Sequence, residues 1–203
     1  MSAQRGILVA FEGIDGAGKT TQLGRLAARL EAAGREVVRS REPTDGPWGR
    51  KIRGAGGRLP LAEELEAFTE DRRAHIASLI APALARGAVV LLDRYYPSSA
   101  AYQGTRGDPA LSVAAVLAHN EAFAPRPDLT VRVDVPVELG LARVGQRGAA
   151  TPFETRATLE AVKAAFDTMA LPGLVHVDGC PEADAVEAAV WAAVAPLLGG
   201  APA

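Results

Sequence analysis

The chain has 203 residues, 48% of them hydrophobic, and a formal net charge of −2. This length and composition allow one sizeable hydrophobic core and favour a single domain over 1–203. The nearly balanced charge argues against partners such as nucleic acid or an anionic membrane. Cys180 is the only cysteine, which excludes an intramolecular disulfide and fits a reducing compartment. Since neither a secretory signal nor an apolar stretch of bilayer length is apparent, we expect a cytoplasmic protein.

Alternating apolar runs and helical patterns predict an α/β protein. Strands are predicted at 7–11, 36–39, 89–92, 129–135 and 174–177. A first helix is predicted after the loop, where Leu23, Leu26, Ala27 and Leu30 recur at helical spacing. Further helices are predicted over 61–86 with a kink at Pro82, over 111–123, from Pro136 to the loop at 145, and over 154–169 and 183–198, while 97–104 is predicted as a short helix or turn. The segments 44–60 and 145–152 are predicted loops, the second of them mobile. His176 is expected to pack inside the fifth strand.

The stretch 13–20 matches the phosphate-binding loop G-x-x-x-x-G-K-[ST]. It lies between the first predicted strand and the first predicted helix, where backbone amides and the positive end of the helix attract phosphate. Lys19 would contact the outer phosphates and the Thr20 hydroxyl would ligate Mg²⁺. Right-handed crossovers then predict a P-loop NTPase fold, with a five-stranded parallel sheet, helices on both faces and ligands at the carboxyl ends of the strands.

Arginines follow several of the predicted strands and helices. No Asn-Lys-x-Asp stretch typical of GTPases and no Leu-Ser-Gly-Gly-Gln stretch typical of transporter ATPases is present. Arginine binds phosphate through two parallel hydrogen bonds. One P-loop and several separate arginines therefore predict two phosphorylated ligands. These arginines are Arg41, Arg72, Arg73, Arg94, Arg143, Arg147 and Arg156.

The chain resembles the thymidylate kinase family over nearly its whole length. The matching stretches, in chain order, are 11–22, Arg41-Glu42-Pro43, Asp71-Arg72, Asp93-Arg94-Tyr95 with Ser98, Ala101, Tyr102, Gln103 and Gly104, and Arg126-Pro127-Asp128-Leu129. The Asp-Arg-Tyr segment with its trailing Ser-x-x-Ala-Tyr-Gln discriminates better than the P-loop does. The resemblance implies transfer of the γ-phosphoryl group of ATP to dTMP with Mg²⁺, giving dTDP and ADP, by a homodimer.

This chemistry needs no general base. A nucleoside monophosphate has a second pKa of about 6, so at neutral pH its phosphate oxygen is largely anionic. Catalysis then consists of bringing two anions together and neutralising charge on the migrating group. The abundance of cations and the absence of a convincing Ser/His/Asp arrangement agree with this expectation.

The resemblance also implies roles for individual residues. Catalytic roles fall to Lys19, Asp15, Arg94 and Arg147, and the Mg²⁺ ligands would be Thr20 and Asp93. The donor nucleotide would contact Gly13, Asp15, Gly16, Ala17, Gly18, Lys19, Thr20, Thr21 and Arg143. The acceptor nucleotide would contact Asp15, Arg41, Phe68, Arg72, Arg94, Ser98, Ser99, Tyr102 and Gln103. Asp93 has loop capping as its alternative role, and Phe68 has ordinary core packing as its own.

The predicted lid, about 145–155, departs from the family pattern. Members with glycine at the position of Gly16 carry an arginine in the lid, within Asp-Arg-Phe-Glu. Here those four positions read Thr151-Pro152-Phe153-Glu154. Arg147 is the nearest substitute, with Arg143 and Arg156 behind it. The departure leaves open a kinase for another or modified pyrimidine deoxynucleotide, and a nucleotide-binding regulatory protein with reduced transfer activity.

Overall fold

The computed structural model describes residues 5–146 and 153–199. In these residues five parallel strands form one sheet in the order β2-β3-β1-β4-β5. The strands are β1 (Ile7–Glu12), β2 (Val37–Arg41), β3 (Val89–Asp93), β4 (Leu129–Asp134) and β5 (Leu174–Asp178). The predicted five-stranded parallel α/β sheet is therefore confirmed.

Helices cover both faces of this sheet. Alternate residues of β1 belong to two separate hydrophobic clusters, with Val9 and Phe11 in one and Leu8 and Ala10 in the other. This alternation follows from the period of two along a strand. The helices are α1 (Lys19–Ala32), α2 (Pro47–Gly54), α3 (Leu61–His75), α4 (Ala81–Ala85), α5 (Tyr96–Gln103), α6 (Val113–Glu121), α7 (Val137–Gly145), α8 (Arg156–Thr168) and α9 (Ala183–Val194), with short 3₁₀ turns at Pro109–Leu111 and Ala195–Leu198.

The prediction of a continuous loop over 44–60 was wrong, because α2 lies inside it. Its glycine and proline content suggested a loop, yet Gly46 precedes the helix and Pro47 stands in its first turn, where a missing N–H costs nothing. A distant carboxylate holds the start of this helix. Asp71 of α3 accepts hydrogen bonds from the amides of Thr44 at 2.7 Å and Gly49 at 3.1 Å.

The long helix predicted over 61–86 is interrupted rather than simply kinked. A π-helical turn over Ile76–Ile80 separates α3 from α4 and lies just before Pro82. In a regular α-helix the proline ring would clash with the carbonyl of residue 78. The wider turn is a known way to absorb such a local conflict.

Smaller differences concern the ends of elements and one side chain. The helix predicted over 111–123 is shorter, the one predicted from Pro136 begins one residue later, and the last helix finishes in a 3₁₀ turn. The helix predicted over 154–169 begins at Arg156. The expectation for His176 was wrong, because this residue is exposed on the edge strand β5.

The strand register brings the predicted functional segments to one edge of the sheet. Asp93, at the end of β3, lies opposite Phe11 of β1 on one side and Arg41 of β2 on the other. The P-loop follows β1 at the same edge. Within the described residues, none of the helices combines the length and the apolar character that crossing a bilayer requires.

Candidate active site

The P-loop turns tightly between β1 and α1. Gly13 and Gly16 have φ values of 133° and 79°, a region that residues with side chains rarely adopt. A Cβ atom added at Gly16 would lie 2.2 Å from the carbonyl oxygen of Gly140 in α7. Contact with α7 therefore closes the Gly16 position to an arginine with this backbone.

Lys19 is held inside the loop that it follows. Its side chain is buried, and Nζ donates to the carbonyl oxygen of Ile14 at 2.9 Å. Burial and the nearby charge of Arg94 lower the pKa of the Lys19 ammonium to about 8, against the opposing effects of Asp15, Asp93 and Glu12. An incoming polyphosphate would place additional negative charge beside this buried cation.

Thr20 and Asp93 form a pair of hard oxygen donors beside the loop. The Thr20 hydroxyl donates to Oδ2 of Asp93. Hydroxyl and carboxylate oxygens are ligands that Mg²⁺ accepts, usually together with water and substrate phosphate. Among the residues that the structure describes, no group of three or more His, Cys, Asp or Glu side chains is placed to hold a metal ion.

Arg94 occupies the junction between β3 and α5. Of the residues described, it is the only one other than glycine with a positive φ, 71°. Its Nη2 donates to Oδ1 of Asp15 at 2.7 Å, and its Nη1 donates to the Ser98 hydroxyl at 3.0 Å and the Gly13 carbonyl at 3.2 Å. The guanidinium is thereby fixed next to the P-loop.

Asp15 links this arginine to Tyr102. The Tyr102 hydroxyl donates to Oδ2 of Asp15 at 2.8 Å. Burial by itself would raise the pKa of the Asp15 carboxyl, but the charges of Arg94 and Lys19 outweigh it and hold the pKa at about 2. Asp15 is therefore ionised at every pH at which such an enzyme would work.

A cavity of about 650 Å³ opens in front of Arg94. Its size lies in the usual range for small-molecule sites. The structure brings all the predicted acceptor residues together in its wall: Asp15, Arg41, Phe68, Arg72, Arg94, Ser98, Ser99, Tyr102 and Gln103. Phe68 is half-buried and belongs to neither hydrophobic cluster as described, so the alternative of ordinary core packing loses its support.

Arg72 is the most deeply buried cation of this wall, with 1% of its surface exposed. It donates through Nε to Glu42 at 2.8 Å, through Nη2 to the Ser99 hydroxyl at 2.9 Å, and through Nη1 to Oδ1 of Asn120. Our reading of the sequence missed Glu42 and Asn120 as its partners. Glu42 stood within the Arg-Glu-Pro motif, whereas nothing in the sequence pointed to Asn120.

Gln103 lines the same cavity, and among the described residues its side-chain amide is only partly hydrogen-bonded. Its Nε2 donates to the buried carboxylate of Glu64 at 2.9 Å, which assigns the orientation of the amide. Its Oε1 is buried and has no partner in the described part of the molecule. Glu64, which also binds Arg58 and Arg106, was likewise missed, because a glutamate in the first turn of a helix is ordinarily solvated.

A second cavity, of about 280 Å³, lies on the other side of the P-loop. Five of the predicted donor residues line it: Gly16, Ala17, Gly18, Thr21 and Arg143. Arg143 donates to the carbonyl oxygens of Gly16 at 3.3 Å and Gly179 at 3.2 Å. Residues of the P-loop thus line both cavities, with Asp15 in the larger and Gly16, Ala17 and Gly18 in the smaller.

The end of the predicted lid contacts the larger cavity. Phe153 packs against the ring of Tyr102, with 6.2 Å between centroids, and the Arg58 guanidinium lies 4.7 Å from the Phe153 ring. Arg147 lies outside the described residues. Arg156 is exposed and pairs with Glu138, so it is directed to a partner on α7.

Comparison with known proteins places this site in a family. The family model for thymidylate kinase matches residues 11–190. The chain belongs to the thymidylate kinase family. Among curated thymidylate kinases, that of Xanthomonas campestris pv. campestris strain B100 is 50% identical, over 95% of this chain and 86% of the relative. The thymidylate kinase of Xanthomonas euvesicatoria pv. vesicatoria strain 85-10 is also 50% identical, over 96% of this chain and 88% of the relative. That of Akkermansia muciniphila is 50% identical as well, over 86% of this chain and 84% of the relative.

Proposed function

We propose that this chain transfers the γ-phosphoryl group of ATP to dTMP, giving dTDP and ADP. Membership of the thymidylate kinase family supports this reaction. The observation that carries the proposal for these residues is the position of Arg94. Its guanidinium lines the larger cavity and is bonded to Asp15 of the P-loop, so a phosphate bound there would lie beside the donor's phosphates.

Transfer then needs charge neutralisation and alignment rather than proton abstraction. The acceptor phosphate is largely dianionic above pH about 6 and is its own nucleophile. Arg94 would bind its oxygens, and Lys19 would neutralise the charge that develops on the migrating group. Thr20 and Asp93 would hold Mg²⁺, which when bound would neutralise part of the charge of the donor phosphates.

We propose that the base end of the cavity recognises the N3–O4 edge of thymine. Gln103 offers the buried Oε1 as an acceptor, and thymine carries an N3–H donor. Arg72 offers only donors, which match the O4 carbonyl. Cytosine presents an acceptor at N3 and a donor at position 4. The acceptor Oε1 of Gln103 would then face another acceptor, and the donors of Arg72 would face another donor.

The contact between Tyr102 and Asp15 supports selection of a deoxyribose. Both side chains line the cavity and are joined by a 2.8 Å hydrogen bond. Tyr102 is buried and fixed on α5, so it cannot move away without losing this bond. We propose that its ring crowds the position at which a ribonucleotide carries an additional hydroxyl group.

Acceptor selectivity tests this proposal. In a coupled assay of ADP release, dTMP is expected to exceed dCMP in kcat/KM by at least about 10³-fold, because dCMP would leave buried polar groups unpaired. Turnover of dUMP should lie between them, since its Watson–Crick edge is that of thymine, whereas dGMP should be inactive. Equal turnover of dTMP and dCMP would contradict the assignment of Gln103 and Arg72. Binding of ATP without turnover of any acceptor would favour the regulatory alternative.

We also propose that Arg147 replaces the lid arginine of the family. The closed Gly16 position and the pairing of Arg156 with Glu138 support this assignment. Arg147→Ala is expected to lower kcat by about 10³-fold, as when a supplied arginine is lost from phosphoryl transfer. Arg156→Ala is the matched control, with kcat within about threefold of wild type because its partner is a surface glutamate. Unaltered turnover of the Arg147→Ala protein would remove Arg147 from the mechanism.

The remaining expectations are proposals that rest on the family and on composition. We propose a homodimer, and a monomer alone in sedimentation velocity at micromolar concentration would refute it. A cytoplasmic location is supported by the single cysteine, and the single domain over 1–203 with a mobile lid at about 145–155 stays a prediction.

A further inference from the structure

Glu12 is a buried carboxylate at the end of β1, and the proposed reaction does not use it. None of its surface is exposed, and it is not among the described residues that line either cavity. Its Oε1 accepts a hydrogen bond from the amide of Tyr95 at 2.8 Å, and its Oε2 accepts one from the Ser98 hydroxyl. Two hydrogen bonds to one buried carboxylate are expected to fix the positions of the Tyr95 backbone and the Ser98 side chain.

Both hydrogen-bond partners of Glu12 are connected to Arg94. Tyr95 follows Arg94 in the chain, and the Ser98 hydroxyl accepts a hydrogen bond from the Arg94 guanidinium. The amide of Arg94 donates to the Phe11 carbonyl at 2.9 Å, and the next amide, that of Tyr95, donates to Glu12. The end of β1 therefore holds the backbone on both sides of the positive φ of Arg94. Such a conformation persists in a residue with a side chain only where its surroundings enforce it.

Ser98 extends this control to the guanidinium. A serine hydroxyl has one hydrogen and two lone pairs. When that hydrogen is donated to ionised Glu12, the lone pairs remain free to accept from Nη1 of Arg94, at 3.0 Å. Protonated Glu12 would instead donate to Ser98, and the displaced serine hydrogen would compete with Arg94.

We propose that Glu12 is a positioning residue that, when ionised, holds Arg94 in the orientation that binds the acceptor phosphate. This inference rests on the proposed role of Arg94. Glu12 does not touch the substrate in this account and acts through Ser98 and the Arg94–Tyr95 backbone.

The charge around Glu12 makes its ionisation sensitive to pH. Burial raises the pKa of the Glu12 carboxyl to about 7, against the lowering effects of the Ser98 hydrogen bond, the Arg94 charge, the Tyr95 amide and the Lys19 charge. Glu12 therefore gains a proton as the pH falls through about 7. The titratable and charged groups that act on it are Lys19 from α1 and Arg94 and Tyr96 from the β3–α5 junction, and Arg132 occupies the adjacent position of β4.

The test compares wild type with Glu12→Gln and with Asp128→Asn. Glutamine is isosteric and can still accept from the Tyr95 amide, but it stays neutral at every pH. Asp128 is the matched control, because its carboxylate accepts from the amide of Leu8 at 2.8 Å near the other end of β1. The measurements are kcat, KM for dTMP and Kd for ATP from about pH 5.5 to 9, with thermal unfolding as the check of folding.

Glu12→Gln is expected to raise KM for dTMP by roughly 10- to 100-fold, since a small misplacement of a phosphate-binding group has effects of this size. Its Kd for ATP should stay within about twofold of wild type. The acid limb of the wild-type kcat/KM profile for dTMP, near pH 7, should move in the variant towards about 6, where dTMP itself takes a proton. Asp128→Asn should change Tm and leave KM for dTMP and the acid limb unchanged.

A double-mutant cycle adds a second readout. Ser98→Ala should weaken dTMP binding by itself, and its effect should be smaller in Glu12→Gln than in wild type, because both changes remove the connection from Glu12 to Arg94. Additive effects, an unmoved acid limb, or equal losses in ATP and dTMP binding would each overturn the inference.

The outcome separates this inference from the proposed function. Turnover of dTMP by wild type tests the function first, and the two variants then test Glu12 alone. If wild type binds dTMP without turning it over, calorimetric dTMP binding replaces KM in the same comparison. If wild type does not bind dTMP, the role of Arg94 fails, and that of Glu12 with it.

Discussion

Replacement of Arg94 by alanine is expected to lower kcat/KM for dTMP by roughly 10⁴-fold. The guanidinium is the cation that joins the acceptor cavity to the P-loop, through Asp15 at 2.7 Å. Its loss would remove the acceptor's phosphate-binding group and leave Asp15 as an unbalanced negative charge beside that phosphate. Arg94 is largely buried and paired with Asp15, so its replacement would leave a largely buried carboxylate without this partner. The loss of activity should therefore exceed the loss caused by removing a surface cation. Steady-state kinetics with varied dTMP, together with a calorimetric Kd, would measure it.

Arg41→Ala provides the control for this prediction. Arg41 lines the same cavity, but 62% of its side chain is exposed and it pairs with Asp45 at 3.0 Å. Solvent screens such a charge, so its removal should cost about tenfold or less. Comparable losses in the two variants, or an Arg94→Ala protein within about tenfold of wild type, would contradict the assignment of Arg94 as the principal acceptor cation.

Replacement of Lys19 by methionine is expected to lower kcat by roughly 10⁴-fold. Methionine keeps an unbranched side chain of similar length, so the change removes the charge with little loss of packing. The ammonium is buried under the P-loop, where a positive charge next to the migrating group is screened least by solvent. Single-turnover measurements at saturating ATP would separate slow transfer from weak ATP binding.

Arg25→Met is the matched control on the same helix. Arg25 pairs with Asp184 and Glu187 on the side of α1 that faces α9, away from both cavities as described, and kcat should change by less than about twofold.

The lowered pKa of Lys19 adds a test by pH. In the free protein Lys19 loses its proton as the pH rises through about 8, so kcat/KM for ATP should fall above that pH, whereas kcat should not. A flat kcat/KM profile to about pH 9.5 would contradict this account.

Local patterning was sufficient for most of the fold. The run Val89-Val90-Leu91-Leu92 predicted a covered parallel strand, and in the sheet this strand is buried between β1 and β2. Prediction failed where a distant partner stabilises a weak local pattern. Helix α2 is rich in glycine and proline, and in its first turn the amide of Gly49 donates to Asp71, more than twenty residues away in the chain.

The candidate site divides in the same way. Motif resemblance located the residues that line the larger cavity, because spacing within a motif is a local property. It did not reveal Glu64, which orients Gln103 from 39 residues away, or Asn120, which binds Arg72 from 48 residues away. A buried polar group needs a partner, but only the packing of helices determines which one.

The sequence by itself predicted a phosphate-binding loop between a strand and a helix, and it determined that the strands are parallel and that the family is that of the thymidylate kinases. Each of these follows from residues close together in the chain. The tertiary structure alone decided that Gly16 lies against α7, that the side-chain amide of Gln103 donates to Glu64, and that Glu12 accepts a hydrogen bond from the backbone amide next to Arg94. These contacts join segments that only the assembled sheet and its helices bring together, and low-dielectric burial gives them their strength.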